Sequence, residues 1–372
     1  MKMLIEKRIL YEGLNATSKA LSTRNIIPVL NGIKFDLRKE GLYLTATDND
    51  ITIQTFINKK DINSIEEEGC TIVYGKTLLN TISKLQDTII TIENFENNEV
   101  SFKTENGGVY DFPCFNEEEF PNIKLELKND SIKLDAVKFK EIINNTSFAC
   151  SLQESRPLLT GVNIKITGNL FEVVATDSYR LSKVSLTLDK IYSDNVNIVI
   201  PARNINELIK LINREDVVEI HIYSNRAIFK FDNIIFQTSL LNGTYPNTDN
   251  SIPKSFNYKI KANLKDFYNL LDTASSLTQS KEKNIVDMEI KGNELIISAS
   301  SLEGKGKDKI NINNELNNNI KISFSVRYML DALKVLTEEE IYILLNGEIS
   351  PIILKNNENS ELIELVLPMK TF

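Results

Sequence analysis

The feature that most constrains this chain is an order of segments that recurs three times, with a period of about 125 residues. In each copy an apolar strand runs into a turn around an alanine, at Ala46, Ala175 and Ala299. The steps between these alanines are 129 and 124 residues. Solenoid repeats are much shorter, and a unit of this length can bury a core of its own. The sequence therefore predicts three similar domains in tandem.

Two other landmarks shift by nearly the same amounts, which supports the repeat. A strand begins ahead of each alanine turn, at Gly32, Gly161 and Ile285, again with steps of 129 and 124 residues. After the turn, a strand leads into a helix with a basic residue near its start. These residues are Lys76, Arg203 and Arg327, with steps of 127 and 124 residues. Matched offsets in the same order indicate a triplicated chain.

Each copy contains two segments with helical periodicity and about eight segments that alternate with a period of two. In the second copy an apolar stripe near helical spacing is formed by Val137, Phe139, Ile142, Ile143 and Phe148. The opening helices are predicted at residues 7–21, 137–148 and 264–277, and the second helices at 76–85, 202–212 and 326–336. This pattern predicts an α+β fold, in which two helices pack on antiparallel sheet in each domain.

Polar linkers mark the predicted domain boundaries. They lie near residues 125–129 and 255–259, where polar and charged residues interrupt the alternating pattern. The predicted domains are therefore residues 1–127, 128–258 and 259–372. Each has about the length of a typical single domain.

The composition is that of an ordinary globular protein, with 42% apolar and 25% charged residues. No apolar run approaches the ~18 residues of a membrane span, and the charged N-terminal residues do not resemble a secretory signal. Three widely spaced cysteines, Cys70, Cys114 and Cys150, lack metal-ligand spacing and indicate reduced thiols. We therefore expect a cytoplasmic protein without a membrane partner.

The chain shows no pattern of catalytic or metal-binding residues. Its single histidine, His221, lies at a polar position of an alternating strand, and we interpret it as solvent-facing or satisfied by a hydrogen bond. Zinc sites and Ser-His-Asp arrangements need partners that this sequence lacks. Residues 304–307 read Gly-Lys-Gly-Lys without the spacing of a phosphate-binding loop, and we interpret them as a charged hairpin turn. We expect no catalytic site, metal or cofactor.

One local motif, at residues 175–181, is more distinctive. It reads Ala-Thr-Asp-Ser-Tyr-Arg-Leu and predicts a strand end followed by a turn in which the polar side chains bond their own backbone. One interpretation is an ordinary hairpin turn. The other is the rim of a small pocket, where exposed Tyr179 and Arg180 flank an apolar floor at Leu181, because Tyr and Arg are enriched at binding hot spots.

Several short motifs occur in one order along the whole chain. They are Ile27-Pro28-Val29-Leu30, residues 175–181, Ile200-Pro201-Ala202-Arg203, Asn242-Gly243-Thr244-Tyr245-Pro246-Asn247 and Leu367-Pro368-Met369-Lys370. Together with the triplication they resemble the bacterial DNA polymerase III beta subunit, the replicative sliding clamp family. The resemblance implies a non-catalytic DNA sliding clamp that encircles duplex DNA without sequence specificity. Such a clamp tethers the replicative polymerase and other replication or repair proteins for processive synthesis.

The resemblance also implies a head-to-tail homodimer, in which six domains close into a ring. The first domain of one subunit would meet the third domain of the other. A heterologous contact that closes after two copies fits this arrangement. Family interface positions correspond to Tyr110 and Phe112 on one side and to Leu277 on the other.

DNA would pass through the hole of this ring. Lys76, Arg203 and Arg327 would place six basic residues around the hole of the dimer, and phosphate contacts of this kind attract DNA without reading its sequence. Arg24 and Gln153 match family positions that touch DNA. The net charge of −8 is compatible with DNA binding, because phosphate responds to the local distribution of charge rather than to the average.

A second family site is a pocket on the second domain, completed by the C-terminal tail. It captures short motifs of the polymerase III alpha subunit, the clamp loader and other partners. The matching residues are Leu159, Thr176, Ser178, Tyr179, Arg180, Leu181, Pro246, Leu365, Pro368 and Met369. Glycine, histidine and an aliphatic residue are frequent in the family where this chain has Ser178, Tyr179 and Ser251, and the tail is extended by residues 370–372. We expect these departures to alter the motif preference.

Two other classes of function stay open from the sequence alone. A hydrolase built on tandem domains would need convergent acid/base or nucleophilic residues, which a single histidine does not support. A scaffold or adaptor that never encloses DNA would not depend on the basic residues for retention on circular DNA.

Overall fold

The computed structural model describes residues 1–22, 26–95, 98–128, 130–213, 217–278, 284–302, 304–314 and 319–369. The chain forms two compact units. One comprises residues 1–140 with 207–240, and the other comprises residues 141–206 with 241–372.

Six α-helices occur in the described ranges, two in each predicted domain, which confirms the predicted helices. They are α1 (Lys7–Thr17), α2 (Gly75–Lys84), α3 (Ala136–Ser147), α4 (Ala202–Leu211), α5 (Leu264–Ser275) and α6 (Val326–Leu333). Some ends differ from prediction. After Thr17 the chain tightens into a 3-10 turn at Ser18–Ala20, and after α6 Leu336 N donates to Leu333 O in a similar tight turn.

The apolar stripe of α3 needs one correction. Phe139, Ile142 and Ile143 are fully buried, but Val137 is 49% exposed, so its assignment to the stripe was wrong. The helix begins at Ala136, and this buried alanine takes the core-facing position three residues before Phe139.

Strands precede and follow each helix along the chain. The first domain contains β1 (Lys2–Glu6), β2 (Gly32–Arg38), β3 (Gly41–Thr47), β4 (Ile51–Asn58), β5 (Ser64–Glu67), β6 (Gly69–Tyr74), β7 (Ile89–Phe95), β8 (Glu99–Thr104) and β9 (Val109–Pro113). The second contains β10 (Ile132–Asp135), β11 (Gly161–Thr176), β12 (Arg180–Pro201), β13 (Val217–Ile222), β14 (Arg226–Phe231) and β15 (Ile234–Ser239). The remaining strands are β16 (Tyr258–Asn263), β17 (Ile285–Lys291), β18 (Glu294–Ser300), β19 (Lys305–Asn311), β20 (Asn313–Asn314), β21 (Ile320–Ser325), β22 (Glu340–Leu345), β23 (Ile352–Lys355) and β24 (Leu362–Val366).

Within the described ranges these strands form four antiparallel sheets, two in each unit. The first unit has the orders β5-β1-β7-β8-β9 and β10-β13-β14-β15-β4-β3-β2-β6. The second unit has the orders β11-β12-β24-β23-β22-β16-β20 and β19-β18-β17-β21.

Two sheets cross the predicted domain boundaries. β4 pairs with β15 at what we call the first junction, and β12 pairs with β24 at the second junction. The expectation that each repeat buries a core of its own was therefore incomplete, since neighbouring repeats share a sheet. The registers of the two junctions correspond, because Thr52 lies opposite Gln237 just as Leu181 lies opposite Leu365.

Candidate partner pocket, DNA-binding residues and strand edges

Residues 176–181 form the turn from β11 into β12. Thr176 Oγ1 donates to Arg180 O at 2.5 Å, and Asp177 Oδ1 accepts from Tyr179 N at 2.9 Å and Arg180 N at 3.0 Å. This confirms the predicted turn. Ser178 has a φ of 79°, a left-handed conformation that costs a non-glycine residue about 1 kcal/mol. This cost explains why glycine suits the position, and here the serine hydroxyl accepts from Arg156 Nη1 at 2.9 Å.

Arg180 is buried rather than exposed, so the expected Tyr-Arg rim needs correction. Only 9% of the residue is exposed. Its guanidinium donates to Asp177 at 3.1 Å, to Asp331 at 2.8 Å and to Phe148 O at 2.9 Å. A guanidinium that leaves water needs such partners. Arg180 therefore ties the turn to α6 and to the end of α3 instead of facing a ligand.

Tyr179 does face solvent, with 55% of the residue exposed. Its ring stacks on Tyr328 of α6, with ring centroids 6.4 Å apart, and the Arg180 guanidinium lies 4.7 Å from the Tyr328 centroid. Burial raises the pKa of Tyr328. The sequence motif did not identify Tyr328, because it lies about 150 residues from the turn along the chain.

An apolar cluster lies beside this turn. Leu159, Leu181 and Leu365 are buried in a single cluster, which we call the floor cluster. Its other buried members are residues that sequence reasoning missed: Val174, Val199, Tyr245, Leu344 and Ile353. Val174, Leu181 and Leu365 come from three neighbouring strands, so the shared sheet of the second junction assembles the floor.

The C-terminal segment lies along one side of the floor cluster. Leu367 packs against the cluster, and its backbone nitrogen donates to Tyr179 O at 2.9 Å. Pro368 forms an isolated antiparallel β-bridge with Phe324, and Met369 N donates to Ser323 O at 2.7 Å. Residues 370–372 lie outside the described ranges. Pro246 is exposed beside the buried Tyr245.

The hydrogen bond of Met369 is the third copy of a repeated contact. One such bond occurs at the matching place in every repeat. Each connects the residues after the last strand of the repeat to an earlier strand of the same repeat. The donors and acceptors are Phe115 N to Ile72 O at 2.9 Å, Leu241 N to Val199 O at 2.9 Å, and Met369 N to Ser323 O at 2.7 Å. The docking of the tail is thus a property of the repeat.

The predicted basic residues occupy equivalent positions. Lys76, Arg203 and Arg327 are each the second residue of a helix, in α2, α4 and α6, and all three are exposed. A cation is unfavourable at the positive end of a helix dipole, so helix stability does not account for this placement. Gln153 is exposed in the segment after α3, and Arg24 lies outside the described residues.

The predicted interface residues lie at or near two terminal strands. Tyr110 is 37% exposed on β9, whereas Phe112 is 8% exposed and packs edge-to-face on Phe102 at 5.5 Å. Leu277 follows α5, and its Cδ1 would lie 2.6 Å from a Cβ added at Gly306 of β19. Residues 305–307 begin this strand, so their interpretation as a hairpin turn was wrong.

His221 is a structural residue. It is 2% exposed, which contradicts the solvent-facing interpretation, and its Nδ1 accepts from Lys128 N at 3.1 Å. Burial lowers its pKa. Across the described ranges, no group of three or more His, Cys, Asp or Glu side chains could hold a metal ion. In the same ranges, no helix has the length and apolar character to cross a membrane.

Three tandem α+β domains with shared antiparallel sheets are the architecture of a clamp protein. The N-terminal, central and C-terminal domains of the DNA polymerase III beta subunit family match residues 1–124, 133–247 and 250–370. The chain is 33% identical to the beta sliding clamp of Staphylococcus epidermidis over the full length of both chains. Two solved structures also match over the full length of both chains. The Bacillus subtilis sliding clamp is 32% identical with a TM-score of 0.94, and the Streptococcus pyogenes beta subunit is 28% identical with a TM-score of 0.95.

The chain therefore belongs to the DNA polymerase III beta subunit family, the bacterial beta sliding clamps. The resemblance drawn from the sequence motifs is confirmed. The chain is a DNA sliding clamp of replication, a processivity factor rather than an enzyme.

Proposed function

We propose that two copies of this chain join head to tail into a ring of six domains that encircles duplex DNA in the cytoplasm. The three domains are residues 1–127, 128–258 and 259–372. The ring holds DNA through basic residues in its hole and presents a pocket to the polymerase III alpha subunit, the clamp loader and other motif-bearing partners.

The observation that carries the ring is that β9 and β19 are counterparts of strands that pair inside the chain. The alanines of the repeat lie near the ends of β3, β11 and β18 rather than in the turns that follow. At the first junction β4, the strand after this turn, pairs with β15, and at the second junction β12 pairs with β24. The third repeat offers β19 in the place of β4 and β12. The first repeat offers β9 in the place of β15 and β24. Both are terminal strands of their sheets, and such edges favour pairing with another chain.

The repeat also supports one register for the proposed pairing of β19 with β9 of the other copy. Lys305 corresponds to Thr52 and Leu181, and Asp111 corresponds to Gln237 and Leu365. Lys305 would therefore lie opposite Asp111 of the other copy, which is a favourable pair of charges. One residue further, Gly306 would lie opposite Tyr110. The tyrosine ring would then cover the glycine beside Leu277, in agreement with the predicted interface.

A charge exchange tests this register. Lys305→Asp should weaken the dimer by about tenfold, a change of ~1.4 kcal/mol, measured by analytical ultracentrifugation. The double variant Lys305→Asp with Asp111→Lys should recover most of the affinity. A wild-type protein that is strictly monomeric at micromolar concentration would refute the ring, and a double variant as weak as the single one would refute the register.

Retention on circular DNA tests the encirclement. Alanine at Arg24, Lys76, Arg203 and Arg327 should shorten the residence of the loaded clamp on nicked circles, because these side chains supply the sequence-independent attraction. Linearising the DNA should release the wild-type clamp. Alanine at Lys210, exposed near the end of α4, is the matched control. Unchanged retention of the fourfold variant would favour a scaffold that never encloses DNA.

The partner pocket is tested at the C-terminal segment. Met369→Ala, or removal of residues 367–372, should abolish binding of a fluorescent peptide that carries the clamp-binding motif of the polymerase III alpha subunit from the same genome. The dimer should persist, because β9 and β19 are unchanged. Undiminished peptide binding would refute the assignment.

A further inference from the structure

Lys183 lies at one end of the floor cluster, on the same face of the sheet. Two residues separate it from Leu181 on β12, and residues two apart on a strand share a face. Its neighbours across the sheet are Val174 on β11, a member of the floor cluster, and Ile363 on β24, which packs against that cluster. A cationic side chain therefore borders an apolar floor.

The ammonium group of Lys183 is held by two carboxylates. It forms an ion pair with Glu172 on β11 and another with Asp249, at 2.9 Å. The Lys183 and Glu172 side chains are 12% and 10% exposed, whereas that of Asp249 is 54% exposed. Burial alone would lower the pKa of Lys183, but the hydrogen bonds to Glu172 and Asp249 outweigh it and raise the pKa. Lysine is charged in the folded protein.

Asp249 belongs to a segment that packs against the floor cluster, and we call this segment the wall of the proposed pocket. This segment connects β15 to β16, and a 3-10 turn at Asp249–Ser251 is its regular element in the described structure. Ile252, directly after the turn, packs against the floor cluster. Pro246 lies three residues before Asp249. The ion pair of Lys183 thus connects the wall to a strand of the floor.

The first junction lacks this connection. The residue that corresponds to Lys183 there is Gln54, and its Nε2 donates to Thr45 Oγ1 at 3.0 Å, within the neighbouring strand. The charged tie therefore distinguishes the second junction from the first, and the shared backbone of the two junctions does not require it.

We infer that Lys183 is a positioning residue of the partner pocket, which through Asp249 holds the wall segment 246–252 against the floor. This inference rests on the proposed pocket. A wall held in place before the peptide arrives loses less conformational freedom on binding, so the complex forms with higher affinity. Glu172 has a different role, because it neutralises the buried ammonium group without touching the wall.

The test compares five variants in the full-length dimer. Lys183→Met and Asp249→Asn should each weaken binding of the alpha-subunit peptide by about three- to tenfold, mostly through faster dissociation, as expected for one partly exposed ion pair. The double variant should be no weaker than Lys183→Met. Glu172→Gln should lower the melting temperature yet bind within about twofold of wild type, because the pair with Asp249 remains. Lys183→Arg keeps the positive charge, so it should bind the peptide with nearly the affinity of wild type.

Lys291→Met removes an ion pair with Glu289 of similar length, 2.8 Å, in the four-stranded sheet and serves as the matched control. Wild-type affinity in both Lys183→Met and Asp249→Asn would overturn the inference while leaving the pocket intact. So would a loss in Glu172→Gln equal to that in Asp249→Asn, since it would indicate stability rather than positioning. Absence of binding by the wild-type dimer would overturn the proposed pocket itself.

Discussion

The first and second junctions have the same backbone and different side chains. Before the first, Thr47 Oγ1 donates to Ile51 O at 2.8 Å and Asn49 has a φ of 76°, which matches the Thr176 bond and the φ of 79° at Ser178. Ser239 N donates to Asp50 O at 2.9 Å, as Leu367 N does to Tyr179 O. Thr176 therefore maintains the turn, and the threonine and aspartate of the motif do not by themselves indicate a pocket.

The difference lies in the floor. Thr52 and Gln237 face each other at the first junction where the second has Leu181 and Leu365. An apolar floor gains free energy when a partner side chain covers it, whereas the polar floor must keep its hydrogen bonds. The two junctions thus share one backbone arrangement, and the apolar pair Leu181 and Leu365 distinguishes the copy to which we assign the proposed pocket.

Replacing Arg180 by the residue of the first junction should have the largest effect. Ile51 is its counterpart, and Arg180→Ile would leave Asp177 and Asp331 without their shared cation. We expect a loss of about 3 kcal/mol in the free energy of unfolding, since buried ion pairs broken on one side cost this much. Urea denaturation measures it. Lys334→Ala, which removes only the exposed partner of Asp331 at 3.1 Å, is the control and should cost far less.

Copying the polar floor should disable the pocket. Leu181→Thr with Leu365→Gln reproduces the pair found at the first junction, so the strands should still pair. Peptide affinity should fall by about 30-fold, or ~2 kcal/mol, because two apolar contacts are lost. Fluorescence anisotropy measures the affinity, and sedimentation verifies the dimer. A dimeric variant with wild-type peptide affinity would contradict the role given to the floor.

The reverse exchange should stabilise the first junction. The Oε1 atom of Gln237 is buried without a hydrogen-bond partner among the described residues, and such an acceptor is costly. Thr52→Leu with Gln237→Leu should raise the free energy of unfolding by about 1 kcal/mol. Thermal denaturation of the double variant, beside Thr52→Leu alone, separates the contribution of Gln237. A lower melting temperature would mean that Thr52 and Gln237 stabilise the first junction more than their hydrogen bonds indicate.

The sequence predicted the elements well and their long-range pairing poorly. Helices and strands follow from periodicities within about ten residues, and the repeat was visible in matched offsets. The shared sheets were not predicted, because Thr52 and Gln237 pair across most of the first two repeats and no local pattern records that pairing. The burial of Arg180 was missed for the same reason, since its partner Asp331 lies 151 residues away.

One overlooked signal was present in the sequence. Phe120-Pro121-Asn122 in the first repeat matches Tyr245-Pro246-Asn247 in the second. Phe120 is buried in a cluster with Leu30 and Ile72, as Tyr245 is buried with Leu159 and Val199. An aromatic residue at the same position in two repeats indicates a buried core residue. This match predicts that Tyr245 belongs to the floor cluster.

The smallest predicted difference between the junctions is a pH dependence of opposite sign. His221, in the sheet of the first junction, faces Glu219 at 3.8 Å, Lys128 and Lys230, and burial holds its pKa below the ordinary 6.5. Its contribution to stability is present above pH 6.5 and is lost as the pH falls through the lowered value.

Glu364, at the second junction, is 1% exposed. Burial raises its pKa well above 4.5, although the hydrogen bond from Ser182 acts in the opposite direction. Its contribution is present below pH 4.5 and is lost as the pH rises through the raised value.

Melting temperatures between pH 5 and pH 8 separate the two groups. Glu364→Gln, which copies the protonated carboxyl, should be more stable than wild type at pH 8 and should flatten the decline on the alkaline side. His221→Gln should flatten the decline below pH 6.5, by about 2 °C, since a fraction of a kcal/mol shifts the melting of a large chain this little. Parallel profiles of wild type and His221→Gln would show that Lys128 N does not depend on the neutral imidazole. If the melting temperature of Glu364→Gln declines with rising pH as steeply as that of wild type, the alkaline sensitivity comes from another group in the sheet.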